Sequence, residues 1–319
     1  MNTELKGLHH VTAMTNSAER NYEFITKVLG MRLVKKTVNQ DDIHTYHTFF
    51  ADDVAAPGTD LTFFDFPKIG KNVPGTNSIS RIGLRVPNDA ALEYYQQRFE
   101  EHNVKYDGIK EVFGTKVLPF EEEDGQRYQL FSDQNNHGIQ AGIAWKNGPV
   151  PKEYAINALG PIEITVSYFE DFRNSLVSIY DMEEIVSEPD AALLEMGEGG
   201  NGGRVILRKD TESQNARQGY GGVHHVAFRV ENTEALNFWI NKYEKLGLNH
   251  SGHVDRFYFE ATYARIGHIL IELSTDGPGF LQDEDYEHLG EKLSLPPFLE
   301  ERREYIENTV RPFDTIWKG

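Results

Sequence analysis

Three residues far apart along the chain, His10, His225 and Glu272, carry donor atoms that suit a divalent metal. Two imidazole nitrogens and one carboxylate oxygen on one face of an ion leave three coordination positions open. That is the arrangement of non-haem Fe(II) oxygenases. His10 lies in the run Gly7-Leu8-His9-His10-Val11-Thr12, and His225 in Gly222-Val223-His224-His225-Val226-Ala227. Glu272 interrupts an apolar run, Ile269-Leu270-Ile271-Glu272-Leu273. A carboxylate in such a strand is costly unless it is paired, bound to metal or turned to solvent. A single strand histidine is more often a satisfied core or surface residue than a ligand. Two at the same point of repeated strands, with an acid inside an apolar strand, favour ligation.

The elements that would position these residues emerge from self-similarity along the chain. Residues 8–34 and 224–250 share one plan. Each opens on a strand-like run and passes a polar turn (Asn16-Ser17, Asn232-Thr233). Each continues with helical periodicity and leaves through Leu29-Gly30 or Leu246-Gly247, a plausible helix stop. Residues 81–107 and 162–188 repeat the plan, the second more loosely, and β-rich runs follow each copy. The reading is α+β, with four βαβββ modules forming two domains with cupped mixed β-sheets. Expected boundaries are an N-terminal pair of modules over 1–145 and a Gly/Pro-rich linker over 146–155. A C-terminal pair follows over 156–284, then a helical tail over 285–319 that packs across the outside.

Repeat phase sharpens the site. Where units one and four carry His10 and His225 on their first strands, unit two has Arg81 and unit three has Glu163. On the last strand, Gln129 of unit two stands where unit four has Glu272. Unit one must then pair with unit four to join the two histidines, leaving units two and three to form a second cup without the histidine pair.

Bulk properties narrow the function classes. The 319-residue chain has ample apolar material for a core, at 39% hydrophobic and 26% charged. A net charge of −18 argues against nucleic acid or an anionic membrane as partner. With no cysteine, disulfides, thiolate nucleophiles and Cys-based zinc sites are excluded. No signal peptide or spanning run is visible, so the expectation is a cytoplasmic protein. Open sheet edges also make a homodimer plausible.

With these motifs in view, the repeat and its His/His/Glu set resemble the vicinal oxygen chelate superfamily (glyoxalase, bleomycin resistance and extradiol dioxygenase proteins) across essentially the whole chain. More narrowly, GLHHVTA, GGVHHVAF, DRFYFEATYAR and IELSTDGPGF resemble ring-cleaving dioxygenases of the hydroquinone-dioxygenase type. The resemblance implies Fe(II), with Mn, Zn or Ni as alternatives, together with O2 and a small phenolic substrate. It carries the ligand roles onto His10, His225 and Glu272, and suggests Arg256, Tyr263, His9 and His224 as neighbouring catalytic groups. Strand alternation predicts that His9 and His224 point away from the metal, and that Thr12 shares the face of His10. Two other classes stand beside this one. A glyoxalase-like Zn or Ni lyase or isomerase would want an additional carboxylate, for which the last strand of unit one offers Asp65. A quinone- or aromatic-drug-binding protein would need no metal.

Other motifs carry less. Gly197-Glu198-Gly199-Gly200-Asn201-Gly202 matches G-x-G-x-x-G but leads into a strand-like run, where no helix N-terminus can receive phosphates. His44 and His47 have odd spacing, so at most one lines the cup. Asp52-Asp53 and Glu121–Asp124 read as solvated acidic turns.

Overall fold

Each of the four units opens on a strand that leads into a helix and then into further strands. In unit one, β1 (Leu8–Thr15) leads into α1 (Ala18–Glu23), whose N-cap Ser17 accepts the Arg20 N–H. A wider helical turn follows and stops at Gly30, in the left-handed region at φ 77°. The strands β2 (Arg32–Asn39), β3 (Asp42–Ala51) and β4 (Asp60–Asp65) complete the unit. Unit two runs β5 (Ser78–Val86), α2 (Asp89–Glu101), β6 (Lys105–Tyr106), β7 (Lys110–Val112), β8 (Thr115–Glu121) and β9 (Arg127–Ser132). A short β10 (Ala158–Leu159) precedes unit three: β11 (Ile162–Val166), α3 (Phe169–Tyr180), β12 (Glu183–Glu188), β13 (Ala191–Glu195) and β14 (Arg204–Lys209). Unit four consists of β15 (Gly222–Val230), α4 (Thr233–Leu246), β16 (Val254–Asp255), β17 (Phe259–Ile266) and β18 (Ile269–Pro278). Its helix is capped by Asn232, which accepts the Ala235 N–H at 3.0 Å, and ends at Gly247. The computed structural model describes residues 2–319.

Two mixed sheets result. One has the order β16-β17-β18-β15-β1-β4-β3-β2, and the other contains β12-β13-β14-β11-β5-β9-β8-β6. Units one and four therefore share a sheet, and units two and three share the other. Sheet partnership departs from chain order: residues 146–155, expected as a linker, follow a unit in one sheet and precede its partner in the same sheet. Alternation assigns the faces. Val11, Ala13, Val226, Phe228, Ile271 and Leu273 enter one extended core with the apolar sides of the helices, such as Tyr95, Leu176 and Trp239. The intervening His10, Thr12, His225 and Glu272 turn to the opposite, cupped face.

The second cup lacks the histidine pair. At the phase of His10 and Glu272 it holds Arg81, Glu163 and Gln129, and Glu163 faces both Arg81 (3.7 Å) and Arg208 (3.3 Å). Phe113 at the β7–β8 turn packs with Val117, Phe131, Leu193 and Ile206.

The tail covers the outside of the first sheet. Leu295, Leu299, Ile306 and Val310, the last three around helix α5 (Arg303–Thr309), pack on Ala18, Val38, Ile43 and Tyr46. The segment before it reaches the cup: Phe280 and Leu289 pack with Phe49, Tyr258 and Phe259. No helix among the described residues is long and apolar enough to cross a membrane.

Two expectations need correction. Asp52-Asp53 is buried rather than solvated. Asp52 accepts the Val54, Ala56 and Ile143 N–H groups, and Asp53 accepts the Lys146 N–H and the Tyr286 hydroxyl. Backbone N–H groups and the Tyr286 hydroxyl hold these acids. In the Glu121–Asp124 turn, Glu122 is only partly exposed, and burial followed by the neighbouring Asp124 pushes it up to about 8. The Gly197–Gly202 segment enters β14 through a buried 3-10 turn at Asn201–Gly203.

Candidate metal centre

His10 on β1 and His225 on β15 lie on adjacent antiparallel strands, with Thr12 opposite His225. Glu272 comes from β18, parallel to β15 and opposite Ala227. All three side chains are buried and project into one point on the cupped face. His10 Nε2 and His225 Nε2 are 3.2 Å apart, and Glu272 Oε2 lies 3.2 Å from the first and 2.8 Å from the second. Metal–ligand bonds of about 2.1 Å at right angles would set neighbouring donors about 3 Å apart, so the triangle fits one ion. Ser274 Oγ donates to Glu272 Oε1 at 2.8 Å, whereas Oε2 is buried with no hydrogen-bond partner among the described residues despite its two close nitrogens. Lone pairs aimed at a common centre produce that geometry. The donor set therefore fits a divalent cation.

Irregular backbone surrounds the triad. Between β1 and β15 the register shifts twice, leaving His9 and His224 as the extra residues of two bulges. The bulges overturn the expectation that these histidines face away. His9 Nδ1 lies 2.9 Å from His10 Nδ1, and His224 Nδ1 lies 2.8 Å from His225 Nδ1. His9 Nε2 is 3.0 Å from the Thr275 carbonyl oxygen, which can only accept. His9 therefore carries its proton on Nε2, accepts at Nδ1 from His10 Nδ1–H, and leaves His10 Nε2 with a bare lone pair toward the centre. Burial, then the neighbouring His10, lowers His9 to about 3; burial, then His225, does the same for His224. Both are neutral imidazoles at neutral pH.

Arg256 and Tyr263 also line the cup. Arg256 Nε donates to Tyr263 Oη at 3.1 Å, and its two terminal nitrogens donate to Asp41 at 3.1 and 2.9 Å. Gln40 Nε2 donates to the Arg256 carbonyl at 2.8 Å. The β2–β3 turn of unit one thus clasps the β16–β17 loop of unit four. Phe257, the next residue, sits at φ 69°, a strained conformation for an aromatic residue that keeps the Arg256 loop tight. Tyr263 pairs with Glu272 across β17 and β18, and burial followed by that carboxylate pushes its hydroxyl well up.

The cavity in front of the triad has a volume of about 400 Å³ and is walled by Phe49, Phe64, Phe66, Tyr258, Phe259 and Leu270. Its aromatic walls, with polar groups gathered at the triad and around Arg256, suit a small aromatic molecule that carries a polar substituent. His47 lines it, whereas His44 is exposed beside Asp42 and Tyr305.

Register also shows what unit one places opposite Glu272. Glu272 pairs with the residue two beyond His225, and Thr62 pairs with Thr12, two beyond His10. Thr62 therefore occupies the position where a symmetric site would place a second carboxylate. Asp65, offered as that acid, accepts from Arg311 of the tail at 2.9 and 3.0 Å and does not line the cavity. Sequence reasoning missed Thr62, Gln40 and Asp41 as residues of this neighbourhood, and left open which of His44 and His47 lines the cup. Only the pairing of β2, β3 and β4 brings them there, and the offset between repeats was the one signal that could have located Thr62.

Comparison with known proteins gives concordant results. The Glyoxalase/Bleomycin resistance protein/Dioxygenase superfamily model matches residues 7–137. A Bacillus subtilis (strain 168) protein named a ring-cleaving dioxygenase, MhqA, is 45% identical over 315 residues, covering 97% of this chain and 99% of that protein. The chlorohydroquinone/hydroquinone 1,2-dioxygenase of Sphingobium indicum is 29% identical over 316 residues, covering 96% of each. A crystal structure described as a dioxygenase of Bacillus subtilis subsp. subtilis str. 168 superposes with TM-score 0.89 at 32% identity, covering 98% of both chains. Glyoxalase I of Zea mays, at 13% identity and TM-score 0.61 over 85% of this chain and 92% of that one, shares the fold.

Proposed function

This chain belongs to the family of MhqA and related ring-cleaving dioxygenases, within the Glyoxalase/Bleomycin resistance protein/Dioxygenase superfamily, and from that premise we propose that it opens a hydroquinone- or catechol-type ring with O2, using Fe(II) held by His10, His225 and Glu272. The observation that carries the proposal is the buried triad, whose Glu272 Oε2 is left to face two histidine nitrogens without a hydrogen bond. A bound Fe(II) would supply the redox chemistry with O2 and the Lewis acidity toward a phenolate.

The chain's own groups do the rest. His9 holds the His10 ring in the tautomer that presents its Nε2 lone pair. His224 is placed to do the same for His225 by accepting from its Nδ1–H. Arg256, fixed between Asp41 and Tyr263, presents positive charge to the cup, where a phenolate or developing oxyanion gains from it. Tyr263 keeps its proton and can donate from Oη to a substrate oxygen. The aromatic walls orient the ring and exclude water.

A Zn or Ni lyase of the same architecture is less well supported, because Thr62 stands in the place of a second carboxylate and Asp65 is tied to Arg311. The deciding experiment is an oxygen-electrode assay of Fe(II)-reconstituted protein with hydroquinones and catechols. Oxygen uptake tied to loss of the phenol is expected, with no turnover under anaerobic conditions and recovery in air. Turnover of the phenol without oxygen, or full ligand binding and activity retained in His10→Ala, would overturn the reading.

A further inference from the structure

His47 on β3 is a histidine of the cup that the metal site does not use. Its ring is packed between Phe49 (centroids 4.0 Å apart) and Phe64 (4.5 Å), so its orientation is fixed by aromatic contact. His47 Nε2 lies 3.0 Å from Thr62 Oγ1, and Thr62 Oγ1 lies 2.8 Å from Thr12 Oγ1. Thr12 is fully buried, and among the described residues Thr62 is its only side-chain hydrogen-bond partner.

That arrangement sets the direction of the chain of protons. A buried hydroxyl that fails to donate forfeits a hydrogen bond, so Thr12 donates to Thr62. Thr62, its acceptor role taken by Thr12, donates to His47 Nε2. The imidazole is neutral, since burial and then the nearby His10 hold it well below its ordinary value. Its one proton must therefore sit on Nδ1. Nδ1 has no partner among the described residues and is not sealed off, on a residue that lines the cavity and is partly exposed. Thr62 is the counterpart of Glu272 in unit one. Where unit four uses that position for a carboxylate, unit one uses it to orient a donor.

Position in the sheet assigns the donor a target. The triad comes from β1, β15 and β18, and His47 from β3, separated from β1 by β4 alone. At the usual strand spacing of about 4.8 Å, β3 runs roughly 10 Å from β1. A phenol anchored at the triad by its hydroxyl and lying across the apolar floor would turn its far end toward β3.

We propose that His47 is a specificity-determining residue that donates its Nδ1–H to an oxygen on the ring carbon remote from the anchored hydroxyl, so that the cup prefers a para-dioxygenated ring over a singly hydroxylated one. This deepens the function proposed above and rests on it. One hydrogen bond from a neutral donor corresponds to a preference of about tenfold.

The test is anaerobic equilibrium binding of hydroquinone and 4-methylphenol to the Fe(II)-reconstituted protein, by calorimetry. Wild type should favour hydroquinone by about tenfold. His47→Phe, which keeps the aromatic packing, should bind both phenols equally, with its iron content unchanged. His47→Asn, whose amide nitrogen lies near the Nδ1 position, should restore much of the preference, as a merely space-filling role would not. A tenfold preference retained in His47→Phe overturns the assignment. If wild type binds neither phenol and consumes no oxygen with them, the function itself falls, and the assignment with it. The two failures are thus distinguished by wild type alone.

Discussion

His9 and His10, neighbours on one strand, lie with their Nδ1 atoms 2.9 Å apart, and the single proton between them belongs to His10. Removing the acceptor should free the His10 ring and weaken metal binding without touching a ligand. His9→Phe is expected to lower Fe(II) or Zn(II) affinity by about 10–100-fold, the usual cost of losing a partner behind a ligating imidazole. Competition with a chromophoric chelator measures it. An unchanged affinity would reduce His9 to packing against Phe259.

The Asp41–Arg256 ion pair spans the mouth of the cup and joins a turn of unit one to a loop of unit four. Asp41 is 72% exposed at its side chain, so its contribution to stability should be small. Its effect on catalysis should be larger, because it fixes the plane of a guanidinium that also holds Tyr263. Asp41→Asn is expected to lower kcat/KM several-fold with unfolding unchanged. Arg256→Lys, which cannot serve both partners at once, should cost about 10²-fold. Steady-state kinetics beside denaturant unfolding decides it: equal loss of stability and activity in Asp41→Asn would mean the clasp is structural.

The legible part of this molecule was whatever repeats. All four copies share the strand–helix–strand order, units one and four add a side-chain N-cap and a glycine stop, and the phase of the repeat sets His10 beside His225. The same phase gave the pairing of unit one with unit four. What could not be read were departures from regularity. Strand alternation sent His9 and His224 to the wrong face, because a bulge adds a residue and leaves no mark in composition. Asp52 reads as a solvated acid because composition does not show that it accepts backbone N–H groups, two close by at Val54 and Ala56 and a third 91 residues away at Ile143. His47 and Thr62 matter through cross-strand neighbours, and register decides those.

Lys35 is buried on β2, where it donates to Asp283 at 2.7 Å and to Glu284. Both acids belong to the segment after β18 that packs Phe280 against Phe49 and Tyr258. Lys35→Met leaves Glu284 buried without its cation, and such a broken pair costs about 3–5 kcal/mol. The expected result is a loss of that size in urea unfolding, with faster amide exchange over residues 280–289. Lys35→Met combined with Glu284→Leu should recover most of it. No recovery would mean the lysine stem, rather than the charge, carries the stability.

Glu122 gives a pH dependence with a definite sign. Burial and Asp124 push its carboxyl up to about 8 in the folded chain, against an ordinary 4.5. Below 4.5 both folded and unfolded states hold the proton, and the group does not alter stability. Between 4.5 and 8 the unfolded chain releases it while the folded chain keeps it, so rising pH favours unfolding; above 8 the penalty is complete. Glu122→Gln mimics the protonated acid at every pH. Its stability should equal that of wild type near pH 4.5 and exceed it by about 2 kcal/mol at pH 8.5, a figure discounted for the partial exposure of the side chain. Urea unfolding of both proteins across that range tests the point, because other titrating groups cancel in the difference. A gap of constant size would show that the amide acts by packing, and a gap that widens toward acid would place the Glu122 carboxyl below its ordinary value, with Arg20 rather than burial in control.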